Sequence, residues 1–207
     1  MRVILLKSVI ILFSVMAFSV EAKDLDWPTK GYSGDEILQT KEGTFETKIY
    51  YQPKPRKIRR EINLEKIDMG TTINIVNFKK KEVIVLMPKL KMHIKQPFGS
   101  KDEGAPITMD TMKELSSEAQ GTEQVNGSEA TRYKVTLKDP EGVVFNGFMW
   151  KVSNNIVVKT DIKAKNGMFL KQSLTNLSIG DQPADLFKVP DEYKNNKFNM
   201  GELMKNF

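Results

Sequence analysis

The sequence predicts a mainly β, antiparallel chain of about eleven strands, on three observations. Apolar and polar residues alternate along short stretches, most cleanly where Phe45, Thr47, Ile49 and Tyr51 face away from Glu46, Lys48 and Tyr50. That period of two is the signature of a half-buried strand. Turn chemistry closes the stretches at Lys41-Glu42-Gly43, Asn126-Gly127, Asp139-Pro140-Glu141-Gly142, Asn154-Asn155 and Asn166-Gly167. Between the strands, a single segment changes to a helical period.

The chain opens with Arg2 and Lys7 ahead of an apolar run from Val9 to Phe18, and Val20 and Ala22 form a small-residue exit. Residues 1–22 are therefore expected to be a cleavable signal peptide, too short for a membrane span. Removing 22 of the 207 residues leaves 185, enough for one domain with a real core, with a body at about 32–193 and a tail at 194–207. Export places the mature protein in the periplasm as a soluble product. The formal charge is +6. Cysteine is absent, which excludes a disulfide framework, thiol redox chemistry, thiolate metal ligation and lipidation of a cysteine after the leader.

Residues 23–31, with Trp27 and Pro28, read as an irregular lead-in. Strands are then expected at Tyr32–Thr40, Thr44–Gln52, Lys57–Asn63, Thr72–Asn77, Glu82–Met87 and Lys91–Lys95, with Pro53, Pro55 and Pro88 as breaks. Residues 96–106 collect prolines and glycines and read as a loop. From Ile107 to Ala119, Met109, Met112, Leu115 and Ala119 share one helical face, which predicts a short amphipathic helix. Strands return at Thr122–Val125, Glu129–Leu137, Val143–Val152, Ile156–Ile162 and Phe169–Leu177, the last four as a meander. Pro183 and Pro190 argue against later central strands, and Met200, Leu203, Met204 and Phe207 carry a terminal helical stripe. So many antiparallel strands must form a sandwich or a closed or partly closed barrel.

Several short motifs carry a resemblance. Gly43-Thr44 leads a strand that ends at Pro53, and the basic strand Arg56–Glu61 follows. The hairpin from Ile73 to Met87 runs into Leu86-Met87-Pro88 and Lys91-Met92-His93. Downstream stand Val125-Asn126-Gly127, Ala130–Val135, Gly147 three residues before Trp150, Leu186-Phe187 and Val189-Pro190. From Tyr32 to Tyr193 the chain resembles the periplasmic outer-membrane lipoprotein carriers and their relatives, most of all a DUF4412-like group of small secreted proteins. The resemblance implies an unclosed antiparallel half-barrel of about eleven strands, with one or two short helices over a concave apolar face that takes acyl chains. Two departures are visible. Nine residues, 23–31, stand where the carriers open with a long helix, and Gln52 precedes Pro53 where they carry an arginine tied to lid closure. The Ile107 helix and the Met200–Phe207 stripe are candidate replacements for that lid.

On this reading the apolar pocket would draw on Phe45, Ile49, Tyr51, Ile75, Val85, Met112, Leu115, Tyr133, Phe148, Trp150 and Val158; ordinary core is the alternative for each. Arg56, Arg59 and Arg60 are candidates for a rim meeting an anionic headgroup. They belong to a basic stretch, Lys54 to Lys95, with twelve Lys or Arg against Glu61, Glu65, Asp68 and Glu82. The sole histidine, His93, lies near Met87 and Met92, a copper-binding composition that methionine packing in the core explains better. No nucleophile–histidine–acid arrangement, zinc-protease motif or phosphate loop is present, so no enzyme, metal or cofactor is expected. Expected partners are a lipid, lipoprotein or other apolar small molecule, with peripheral membrane contact, or else an envelope protein bound through the half-barrel or the terminal stripe; nucleic acid is not expected.

Overall fold

The computed structural model describes residues 22–64, 70–97 and 109–195. The leader, Ile107, the loop beyond Pro97 and the Met200–Phe207 stripe lie outside the described residues. Thirteen strands form one sheet: β1 (Lys23–Asp24), β2 (Tyr32–Thr40), β3 (Gly43–Pro53), β4 (Arg56–Leu64), β5 (Gly70–Asn77), β6 (Glu82–Met87), β7 (Met92–Pro97), β8 (Lys113–Val125), β9 (Ser128–Lys138), β10 (Val144–Lys151), β11 (Val157–Ala164), β12 (Phe169–Ile179) and β13 (Lys194–Asn195). Their order is β1-β8-β9-β10-β11-β12-β2-β3-β4-β5-β6-β7-β13. Two antiparallel meanders, β2–β7 and β8–β12, are thus joined where β12 pairs with β2. Consecutive strands β7 and β8 lie toward opposite ends of the sheet, which stays unclosed. Two-residue strands cover the outermost long ones: β1 on β8, and β13 on β7 in the one parallel pairing. Each cap covers two residues of its edge strand and shortens the template for intermolecular pairing.

One element differs from the sequence expectation. Lys113–Val125 is a strand paired along β9 from Lys113–Lys138 to Val125–Ser128, not the second half of an amphipathic helix. Register shifts between Glu114 and Ser116 and between Ala119 and Thr122 break the alternation that would otherwise mark it. Gly121 sits at φ +98, a conformation that suits glycine at an irregularity of this kind. What remains helical there is one 3-10 turn, Met109–Thr111.

Paired residues in adjacent strands share a face, so the register sorts every side chain. Tyr32, Gly34, Glu36 and Leu38 of β2 lie opposite Tyr51, Ile49, Thr47 and Phe45 of β3. Ile49 and Tyr51 lie opposite Arg60 and Ile58, and the face continues across the sheet through Thr160, Met149 and Tyr133. This inner face carries two buried clusters. One gathers Tyr32, Ile49, Tyr51 and Ile58; the other gathers Leu38, Val135, Leu137, Phe145, Met149 and Ile162. A third cluster, Ile73, Ile75, Ile84 and Leu86, lies on the opposite, outer face. There Phe187, from the 3-10 turn Ala184–Phe187, packs on it. Strand β6 is consequently apolar on both sides, whereas the inner face of β5 carries Thr72 and Asn74 beside Val76.

Gly147 of β10 leaves no room for a side chain against β11. A Cβ there would stand 2.1 Å from the Asp161 carbonyl oxygen and 2.9 Å from Ile162 Cα. The small residue leaves the inward position between Phe145 and Met149 without a side chain.

Candidate functional site

The inner face is covered by two short segments. The lead-in crosses it at one end: Trp27 stacks on Tyr51 at 6.4 Å and meets Phe78 edge-on at 4.8 Å. Tyr51 donates its hydroxyl to the Pro28 carbonyl at 3.0 Å, and the Thr29 amide donates to the Asn154 carbonyl at 3.1 Å. Leu25 packs against the second cluster, to which Met109 and Met112 also belong, so the Met109–Thr111 turn completes the cover. Neither segment is a long helix. A tryptophan lead-in and one turn of 3-10 helix occupy the place where a lid was expected.

A buried charge network fastens the turn. Glu36, 2% exposed, accepts from Thr47 Oγ1 at 3.0 Å, Gln172 Nε2 at 3.0 Å and Arg60 Nε at 2.8 Å. Arg60 Nη1 donates to Asp110 Oδ2 at 2.5 Å. On Glu36 the Thr47 hydroxyl and the Gln172 amide share the carboxylate with the guanidinium. Burial opposes the charge on Arg60, but the Asp110 and Glu36 carboxylates outweigh it and hold its pKa well above the usual range. The hydroxyl of Tyr32 is pushed strongly up, first by burial and then by the charges of Glu36 and Asp110. Burial likewise raises that of Tyr51 to about 12, Arg56 opposing and Asp110 adding to the shift.

The three candidate rim arginines do not converge on one rim. Arg60 lies inside, in the clasp just described. Arg56 shares its face but is sandwiched, its Cζ 4.1 Å from the Trp27 ring centroid and 4.4 Å from that of Phe78. Arg59 lies on the outer face, paired with Glu61 at 2.8 Å and donating to the Leu186 carbonyl at 2.8 Å, where it anchors the Phe187 turn. Residue alternation explains the split, since 56 and 60 share a parity that 59 does not.

Of the candidate pocket residues, Phe45, Ile49, Tyr51, Val85, Tyr133 and Val158 lie on the inner face, and Met112 is buried with the cover. Ile75 is on the outer face under Phe187. Phe148 and Trp150 are also outward: Trp150 pairs with Arg132 and Lys159, and Phe148 with Lys134 and Asp161. Trp150 is nevertheless 6% exposed, because Val125 and Ala130 share its cluster. Its indole donates to Glu123, and Lys159 Nζ stands 4.5 Å from its ring centroid. Leu115 is half-buried beside the first β8 bulge. Met87 and Met92 are cross-strand partners, whereas His93 pairs with Leu86 and faces the other way, so the three do not form one metal-facing set.

Tyr133 also lines a cavity of about 400 Å³ at one end of the inner face. Ser128, Glu129 and Thr131 of β9, Lys151 and Val152, Ser153 and Asn155, and Leu177 and Ile179 of β12 form the rest of its wall. Lys151, Glu36 and Asp110 were not singled out in the sequence, and Arg60 was read there as a rim residue and not as part of a clasp. A signal was present for most of them: Glu36, Arg60 and Lys151 each occupy an inward position of an alternating strand, where an apolar residue is the norm.

Compared in sequence with family models and with curated proteins, the chain matches none. Solved structures do match in fold. An uncharacterized conserved protein from Thermus thermophilus superposes with a TM-score of 0.53 at 10% identity, over 82% of this chain and 91% of that one. MucB in complex with MucA(peri) gives 0.51 at 14% identity, over 80% of this chain. The Pseudomonas aeruginosa MucA/MucB complex gives 0.50 at 14% identity. The chain spans only 56% of the MucB length in the first of these complexes. The chain has the unclosed half-barrel fold to which its resemblance to the lipoprotein carriers points. The narrower DUF4412-like placement rests on the sequence motifs alone. Among the described residues, no helix is long and apolar enough to cross a membrane.

Proposed function

We propose that this is a non-enzymatic periplasmic binding protein or carrier, exported by its leader. It would hold the apolar part of a lipid, acyl chain, lipoprotein or other apolar ligand against the inner face of its open sheet. The observation that carries this reading is how the face is covered. A broad apolar surface lies beneath two short segments, and the Met109–Thr111 turn is held to β4 by side-chain contact, Arg60 with Asp110, and not by strand pairing. Such a cover can be displaced without unpairing the sheet. An entering acyl chain would replace the apolar contacts of Leu25, Met109 and Met112 with its own.

Apolar burial contributes about 0.8 kcal/mol per methylene. Affinity for saturated fatty acids should therefore tighten several-fold with each added carbon until the face is filled. Calorimetric titration of the protein with a chain-length series checks this, and an affinity independent of length would sink the proposal.

A second reading has one observation in its favour, the fold shared with MucB in its complex with MucA(peri). On that reading the half-barrel binds an envelope protein. Cross-linking in envelope fractions, followed by delipidation, separates the two: a stoichiometric protein partner that survives lipid removal supports the second.

A further inference from the structure

Lys151 is nine-tenths buried, yet no carboxylate is paired with it among the described residues. Its Nζ stands 5.3 Å from the Tyr133 ring centroid. An aromatic face meets only one side of an ammonium, which has three N–H donors, and Lys151 lines the cavity. The carboxylate on the cavity wall, Glu129, is exposed and forms no ion pair with Lys151. The remaining wall divides by chemistry. Ser128, Thr131, Ser153 and Asn155 supply hydroxyl and amide donors, while Val152, Leu177 and Ile179 supply apolar surface, Ile179 being 44% exposed. One cation, several neutral donors and an adjoining apolar wall are the complement of an anionic head on an apolar tail.

We infer that the Lys151 cavity is an anion-binding subsite that takes the terminal carboxylate or phosphate monoester of a single-chain amphiphile. The assignment of a tail to that anion rests on the function proposed above; the anion site itself does not. Lys151 Nζ would make the charge-assisted hydrogen bond, the serine and threonine hydroxyls would complete the oxygen shell, and the tail would leave along Leu177 and Ile179. At about 400 Å³ the cavity falls at the small end of ligand sites, which suits a head group and not a whole phospholipid. Glu129 at the wall repels the anion and so sets the affinity below what Lys151 alone would give.

The test compares dodecanoate, dodecyl phosphate, dodecanol and inorganic phosphate by titration calorimetry, each below its aggregation concentration. Wild-type protein should bind dodecanoate or dodecyl phosphate at least about tenfold more tightly than dodecanol. Lys151→Met should abolish that discrimination while leaving the melting temperature unchanged or raised, since it removes a buried cation without a counter-ion. Glu129→Gln should tighten anion binding several-fold, and Thr131→Val should weaken it. These two exposed or half-buried positions test the site even if Lys151→Met does not fold.

Equal binding of dodecanol and dodecanoate to wild type overturns the subsite and leaves the apolar-ligand reading standing. Binding of inorganic phosphate, lost in Lys151→Met, without binding of any twelve-carbon ligand, keeps an anion site but refutes the amphiphile and the apolar reading. No binding of any probe refutes both.

Discussion

Arg60 Nη1 stands 2.5 Å from Asp110 Oδ2, while its Nε holds Glu36 Oε2 at 2.8 Å. One guanidinium therefore neutralises charge inside the sheet and fixes the turn that covers it. Removing it leaves two carboxylates facing each other in a desolvated setting. Arg60→Leu should cost about 3–5 kcal/mol, the usual loss when one partner of a buried pair is deleted. Asp110→Asn keeps the Glu36–Arg60 pair and should cost less, but it should loosen the turn. Hydrogen exchange at the Met112 amide, which donates to the Met109 carbonyl, should then speed up relative to β2 and β3. Unchanged protection of that amide would mean the turn does not depend on the clasp.

Trp150 faces outward and is covered by its neighbours, so its role should be packing and not ligand contact. Trp150→Ala should lower stability by about 3–5 kcal/mol in urea denaturation. Fatty-acid affinity of the folded fraction should stay within twofold of wild type. A large loss of affinity with little loss of stability would place the indole in the ligand site after all.

Alkali should unfold the protein earlier than its carboxylates and lysines alone would dictate. The Tyr51 hydroxyl titrates near 10 when unfolded but at about 12 when folded, and Tyr32 is shifted in the same direction. A raised folded pKa means that the stability these hydroxyls contribute is whole below pH about 10. It is lost as pH climbs toward about 12, because only the unfolded chain ionises in that window. Tyr51→Phe should lose about 1 kcal/mol at neutral pH with its bond to the Pro28 carbonyl, and should show a shallower fall above pH 10. Denaturation midpoints from pH 8 to 12 decide it, and an unchanged slope would contradict the assignment.

Gly147→Ala should destabilise by about 1–3 kcal/mol or more, as overpacking does, because its methyl would collide with the backbone of Asp161 and Ile162. The damage should be local to the β10–β11 pairing. Amide exchange at Ile162 should rise before that at Ile49.

Most of the architecture was legible because a period of two survives in short strands closed by Asn-Gly and Asp-Pro turns. Tyr32–Thr40 and Glu82–Met87 can be read from sequence to the residue. β8 was not, because two bulges scramble its alternation, and Leu115 and Ala119 fall in helical phase with Met109 and Met112 just ahead of it. The choice of face failed for a different reason. On β10 the aromatic pair Phe148 and Trp150 outweighs Phe145, Gly147 and Met149 by size, yet the glycine marks the inward side, where β11 closes in. On β5 the apolar pair Ile73 and Ile75 faces outward, because Phe187 arrives from more than a hundred residues downstream to cover it, and no local pattern reveals that. The clasp was half-legible: inward charges of opposite sign on β2 and β4 invite pairing, but the contribution of Asp110 depends on a fold-back that spacing does not encode.

Native mass spectrometry of the protein purified from its envelope fraction without detergent, with lipid analysis of the organic extract, tests the central claim most directly. The expected result is one amphipathic molecule per chain, displaced by a longer-chain fatty acid and retained less well in Asp110→Asn. A clean protein mass, unchanged after incubation with fatty acids and lysophospholipids, would contradict the binding role of the inner face.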